Sequence, residues 1–231
     1  MRNFTILAVT TLALTTAALL PLPALAATGT LTVTGSATIN VVPDLATITL
    51  GVTTTGDTAA SAMAANNEAV SGVIAKLIAA HVADRDMQTS SLSINPNWVA
   101  NANNTGQVIN GYIASNMLTV RIKALETTGA VLDAAITDGA NTLNGLTFGL
   151  QDQRPTEDEA RKAAVVDALA RAKVLADAAG AKLGDIQSIN EGGASQPGPM
   201  PMFKTMDAAS VPVAAGEIGI SASVTIVWAL K

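Results

Sequence analysis

The sequence predicts an α+β fold with a largely antiparallel sheet and two long helices, and three observations predict it. Several stretches alternate apolar with small polar residues and are rich in Val, Ile and Thr, the pattern of half-buried strands. Two long stretches instead repeat their apolar residues at helical spacing. Between two of the strands lies an Asn/Gly-rich tip, which is hairpin chemistry and brings sequence neighbours together antiparallel.

Taken in order, residues 31–39 alternate apolar and small polar side chains, and Pro43-Asp44 forms a rigid turn into a second strand over 45–54. Gly35 inside the first strand predicts a bulge or the close approach of another backbone. Asp57-Thr58 offers an N-cap to a helix ending near His81, with Val70, Val73, Ile74, Leu77 and Ile78 as its apolar stripe. A strand over 87–99, the tip 101–106 and a return strand over 111–123 make the hairpin. A short helix then runs to about Gly139, where Gly139-Ala140-Asn141 provides a stop suited to positive φ, and 143–150 is a strand.

The clearest helix follows. Thr156-Glu157-Asp158-Glu159 reads as a capping box, with acids at the positive end of the helix dipole. Glu157/Arg161, Asp158/Lys162 and Asp167/Arg171 are i,i+4 pairs with the acid first. Val165, Val166, Leu169, Val174 and Leu175 are expected to supply the apolar contacts, and Gly180 to end the helix. Strands at 186–190 and 217–230 close the chain, separated by a Pro/Gly/Met loop over 192–216. Set side by side, the halves suggest a duplicated β-α-β-β unit, with Asp86-Met-Gln-Thr89 aligning on Asp185-Ile-Gln-Ser188.

Ahead of these elements, Met1-Arg2-Asn3 is followed by an uncharged, mostly apolar run to Leu20 and then by Pro21-Leu-Pro-Ala24-Leu-Ala26. A cation, an apolar stretch and small residues at −3 and −1 are the parts of a cleaved export signal, so residues 1–26 are expected to be removed and 27–231 to form the domain. No second apolar stretch of spanning length follows, and the mature chain is expected to be soluble. The formal charge is −5, which argues against nucleic acid and against docking on anionic lipid through a basic surface. There is no cysteine, which removes thiol catalysis, thiol redox chemistry, disulfides and a lipobox anchor together.

No constellation in the mature chain amounts to a catalytic signature. His81 is the single histidine, expected as a surface residue interacting with a helix end. Glu157, Asp158 and Glu159 are read as helix-start acids, and Asp84 and Asp86 around Arg85 as turn chemistry. Gly192-Gly193 lacks the lysine of a phosphate loop. Met200, Met202 and Met206 lie close together in the long loop beside Phe203. Their thioethers suit soft Cu(I), while methionines equally make adaptable contacts at an interface, and a loop with no ligand role is the third alternative.

Several stretches together resemble the SIMPL-domain family, periplasmic or outer-membrane immunogenic proteins. They are Thr34-Gly-Ser-Ala37, Val42-Pro-Asp-Leu-Ala-Thr-Ile-Thr-Leu-Gly-Val52, Asp86-Met-Gln-Thr-Ser-Ser-Leu-Ser-Ile94 and Gly111-Tyr-Ile-Ala-Ser-Asn-Met-Leu-Thr-Val120. They continue in order with Val131 to Asn141, Glu159 to Ala168 and Gly216 to Val227. The resemblance implies an α+β fold, an envelope location, ring-like or channel-like oligomers in some members and an association with oxidative-stress tolerance. It carries over no catalytic residue. The resulting expectation is a soluble, periplasmic, non-enzymatic protein without a cofactor that self-associates as a homo-oligomer; peripheral association with the outer membrane is left open. A binding module for a small ligand or copper is the alternative.

Overall fold

The computed structural model describes residues 29–101, 103, 106–195 and 213–231. Residues 1–26, read above as an export signal, and the three clustered methionines fall outside them. Among the described residues the chain forms seven strands and three α-helices in two antiparallel sheets, so the expected α+β class holds.

The first strand, β1 (Thr30–Val41), pairs along its whole length with the last, β7 (Ile218–Leu230), and β7 pairs in turn with β6 (Leu183–Ser195). This sheet has the order β1-β7-β6 and is covered by α3 (Arg154–Ala178). The second sheet has the order β3-β4-β2-β5. It is built from β2 (Leu45–Gly56), the hairpin β3 (Met87–Ala100) and β4 (Gln107–Ile122), and β5 (Thr142–Gly149). Helices α1 (Ala59–Ala79) and α2 (Thr128–Thr137) pack on one of its faces. Gly192 stands in register opposite Ser223, so β6 runs through the first residues of what the sequence assigns to the long loop. Strand order does not by itself establish two copies of one unit. Each of α1 and α3 does precede an antiparallel hairpin, but β5, which would open a second unit, pairs with β2.

Alternation explains the second sheet. Ala46, Ile48, Leu50 and Val52 of β2, with Leu118, Val120 and Ile122 of β4, face the helices, and Val70, Val73 and Leu77 of α1 close over them. Asn66 sits fully buried in that layer, donating through Nδ2 to the carbonyls of Val52 at 2.9 Å and Ala114 at 3.3 Å, which fixes α1 across two strands. Thr58 and Ser61 form a reciprocal capping box at the start of α1, on the cap the sequence indicates.

The packing of α3 corrects an expectation. Its buried stripe is Ala160, Ala164, Ala168, Ala172 and Ala176, all at i,i+4, whereas Val166 is 66% exposed and Val174 68%. The reason is Gly35. A Cβ there would overlap the Ala164 carbonyl oxygen and the Ala168 amide, so β1 and α3 lie backbone to backbone and only alanines fit between them. The close approach read from Gly35 is therefore present, and the β1–β7 register is unbroken at that point. The start of α3 also differs. Helix begins at Arg154, with Pro155 in its first turn and no side-chain cap from Gln153, so Thr156 lies inside it. Asp152 Oδ1 accepts from the Arg154 N–H at 3.1 Å instead.

All three helices end in the same way. Each places a residue at positive φ just past its cap, and the following N–H reaches back to a carbonyl of the last turn. Gly139 and Gly180 take that place after α2 and α3, and His81 takes it after α1 with φ 66°.

Candidate functional site

Three surfaces carry what could be functional, and they arise from the fold in different ways. The first is an arm. Pairing of β2 with β4 stops at Gly56 opposite Tyr112, while β3 and β4 continue together through Trp98 opposite Ile109 and Ala100 opposite Gln107. Beyond Tyr112 the ribbon is two strands wide. Gly111, at φ 84°, bends the chain where the arm leaves the sheet, and a Cβ there would approach the Gly56 carbonyl oxygen at 2.7 Å. The arm exposes Trp98, Val108 and Ile109, with Trp98 at 53%. Pro96 is tolerated because β3 is an edge strand.

A groove between the open side of β1 and α3 forms the second surface. It encloses about 560 Å³ and is lined by Thr32, Val33, Thr34, Arg171, Val174 and Leu175. At one position along this edge the strand is covered. The Ser36 N–H donates to Asp167 Oδ2 at 2.9 Å, and that hydrogen bond, with Arg171 assisting, holds the Asp167 carboxyl below its ordinary value. Because strand residues two apart point their backbone groups the same way, Thr32 and Thr34 turn theirs to the same open side.

The third is a cleft of about 410 Å³ at the end of the second sheet, where the α1–β3 and β4–α2 connections meet. It is lined by His81, Arg85, Asp86, Arg121 and Lys123 among others. Asp86 is buried and receives Lys123 Nζ on both oxygens, at 2.8 and 2.6 Å.

The residues singled out from sequence separate accordingly. His81 is exposed at the end of α1, but what the fold uses there is its left-handed backbone. Glu157 and Asp158 both bind Arg161, at 3.2 and 2.7 Å, and Asp158 does not pair with Lys162 as its spacing suggests. Arg161 reaches further, to Glu191 of β6 at 2.6 Å, tying α3 to the far strand of its sheet. The three acceptors, Glu191 foremost, push the guanidinium's proton affinity above its already high value. The Asp167/Arg171 pair forms as expected, at 3.0 Å. Among the described residues no group of three His, Cys, Asp or Glu side chains could hold a metal, and Met200, Met202 and Met206 lie outside them. No helix among the described residues is long and apolar enough to cross a membrane.

Sequence reasoning missed the arm and the cleft. The arm had a signal, since two strands of 14 and 16 residues cannot both be covered by a β2 of 12. The cleft had none, because Arg85 and Arg121 stand far apart in the chain and meet only through the fold.

Comparison with known proteins concerns the chain as a whole. A family model, SIMPL, described as a protein of unknown function (DUF541), matches residues 31–228. The 26 kDa periplasmic immunogenic protein of Brucella melitensis is 41% identical over 212 residues, covering 86% of this chain and 84% of that relative. The protein of the same name from Brucella abortus matches over the same shares. The uncharacterized protein YggE of Escherichia coli K12 is 30% identical over 183 residues, covering 79% of this chain and 73% of that protein. Described strands β1 and β7, at the two ends of the matched region, are the pair that closes the first sheet, so the match spans the whole of the fold described above. The chain belongs to the SIMPL family.

Proposed function

We propose that this chain is a periplasmic, self-associating protein with no catalytic machinery of its own, and that the β3–β4 arm is the element that engages a second copy. The observation that carries the reading is the arm itself. A two-stranded ribbon is marginal in water unless something packs on it, and this one presents Trp98, Val108 and Ile109 to solvent. Trp98 shares one face of the ribbon with its cross-strand partner Ile109, Val108 lying on the other, and an exposed tryptophan with an apolar neighbour is the residue type most often found at the energetic centre of an interface.

A receptor of matching character is present on the same molecule. The groove beside Val174 and Leu175 is apolar and borders unpaired backbone of β1, so an arm from one copy can enter it on the next. Such a contact joins two different patches, which generates rings when the rotation closes. The relatives named as periplasmic proteins, together with the export signal at residues 1–26, support the compartment.

The test is the mass of the cleaved protein by light scattering at micromolar concentration. Wild type is expected well above one chain's mass, and Trp98→Lys and Val174→Lys are each expected to run as monomers. Trp228, which is buried in the first sheet, reports through its fluorescence that both variants are folded. A wild-type monomer, or a Trp98→Lys protein that assembles like wild type, overturns the reading.

A further inference from the structure

The cleft at the end of the second sheet gathers charge against the trend of the molecule. The whole chain is acidic at −5, yet Arg85, Arg121 and Lys123 line this one depression against a single carboxylate, Asp86. Asp86 is already engaged by Lys123. Arg85 and Arg121 make no ion pair with any described residue, although Asp84 and Glu126 stand on the neighbouring 3-10 turns. Nor does the nearby end of α1 consume them. Its last carbonyls, on Lys76, Leu77 and Ile78, accept from the N–H groups of Ala80, Val82 and His81. Thr127, in the same lining, caps the N-terminus of α2; its N–H and hydroxyl both donate to the Ala124 carbonyl, at 2.9 and 2.8 Å, so what it brings is the end of a helix that favours negative charge.

We infer that this cleft binds a small organic oxyanion, with Arg85 and Arg121 as a guanidinium clamp and Lys123 held at the wall by Asp86. Guanidinium groups match the two oxygens of a carboxylate or phosphate in a fork, which an ammonium does not. The volume of about 410 Å³ lies in the range of small-molecule sites and exceeds what a bare inorganic ion fills. Carboxylate and phosphate esters share this recognition chemistry, and the same chemistry occurs on an anionic lipid headgroup.

Isothermal titration of the cleaved protein with citrate and with glycerol 3-phosphate distinguishes these sources when run beside phosphatidylglycerol vesicles. One-site binding of at least one soluble anion is expected. Arg85→Ala and Arg121→Ala should each weaken it about tenfold or more, and Arg85→Lys should recover only part of the loss. Lys173→Ala, which removes an equal charge from α3, should leave it unchanged. Both arginines are exposed, so the variants are expected to melt with wild type. Absence of binding to both soluble anions at millimolar concentration overturns the inference. So does binding to vesicles alone, or a Lys173→Ala loss equal to that of Arg85→Ala.

Discussion

At the scale of single residues, Gly35 decides the most. The backbone of α3 passes so close that one methyl group at this position meets a carbonyl oxygen and an amide nitrogen, neither of which can rotate away. Gly35→Ala is therefore expected to lower stability by about 3 kcal/mol, the upper part of the range for overpacking a site that cannot relax. Urea unfolding followed by Trp228 fluorescence measures it, and a change below about 1 kcal/mol would mean that α3 shifts freely on the sheet. This residue was legible in the sequence, because a glycine in a β-branched strand marks a bulge or a close backbone approach, and the unbroken β1–β7 register selects the second. Its consequence was not. Val165, Val166, Leu169, Val174 and Leu175 outweigh alanine on any hydrophobic scale, and only the contact with Gly35 shows why Ala160 to Ala176 must be the buried stripe. His81 was hidden for a related reason. Glycine at positions 139 and 180 announces a left-handed helix stop, whereas a histidine in the same conformation reads as chemistry.

At the scale of elements, α3 and β1 are joined by one polar contact that titrates. The Ser36 N–H and Arg171 both favour the charged form of Asp167, so its folded-state pKa lies below the unfolded value near 3.8. A group depressed in this way contributes stability that is fully present above the unfolded value. That contribution is lost as pH falls through the lower, folded value. Asp167→Ala also gains helix propensity, but that gain does not depend on pH. The wild-type minus variant stability is thus expected to be flat above about pH 5 and to decline towards acid, as two denaturation series across pH 2–6 would measure. A difference that stays constant over the whole range would mean that Ser36 is satisfied by water. Among elements, strands were read well wherever alternation was clean, as in β1, β2 and β7. The loop from 192 was misread at its start because two glycines resemble a breaker, although edge strand β6 pairs Gly192 with β7 and continues past an irregularity to Ser195.

At the scale of the whole molecule, the two sheets have separate cores and meet through little. Leu150, Ile218 and Ile220 form the apolar junction, with Val41 and Phe148 beside them. The chain crosses between sheets at 42–44 and again at 150–153, and the crossings are clamped to each other. The Gln151 N–H donates to Asp44 Oδ1 at 2.7 Å, its Nε2 donates to the Asp44 carbonyl at 2.9 Å, and the Asp44 N–H donates to the Gly149 carbonyl at 3.1 Å. The pairing of the first strand with the last was beyond the sequence, since alternation identifies a strand without naming its neighbour. That pairing makes the junction the place where cooperativity is decided. Wild type should unfold in a single transition, because neither sheet exposes its end without losing the Ile220 contact. Ile220→Ala removes buried side-chain volume at the junction and should cost about 2–5 kcal/mol. If the junction couples the halves, the loss will also separate them. In a Trp98→Phe background, Trp228 reports the first sheet alone, and amide exchange in β2 and β4 reports the second. With Ile220 intact the two midpoints should coincide, and with alanine in its place the first sheet should open before the second. Coincident midpoints in the variant would place the coupling in the Asp44–Gln151 clamp instead.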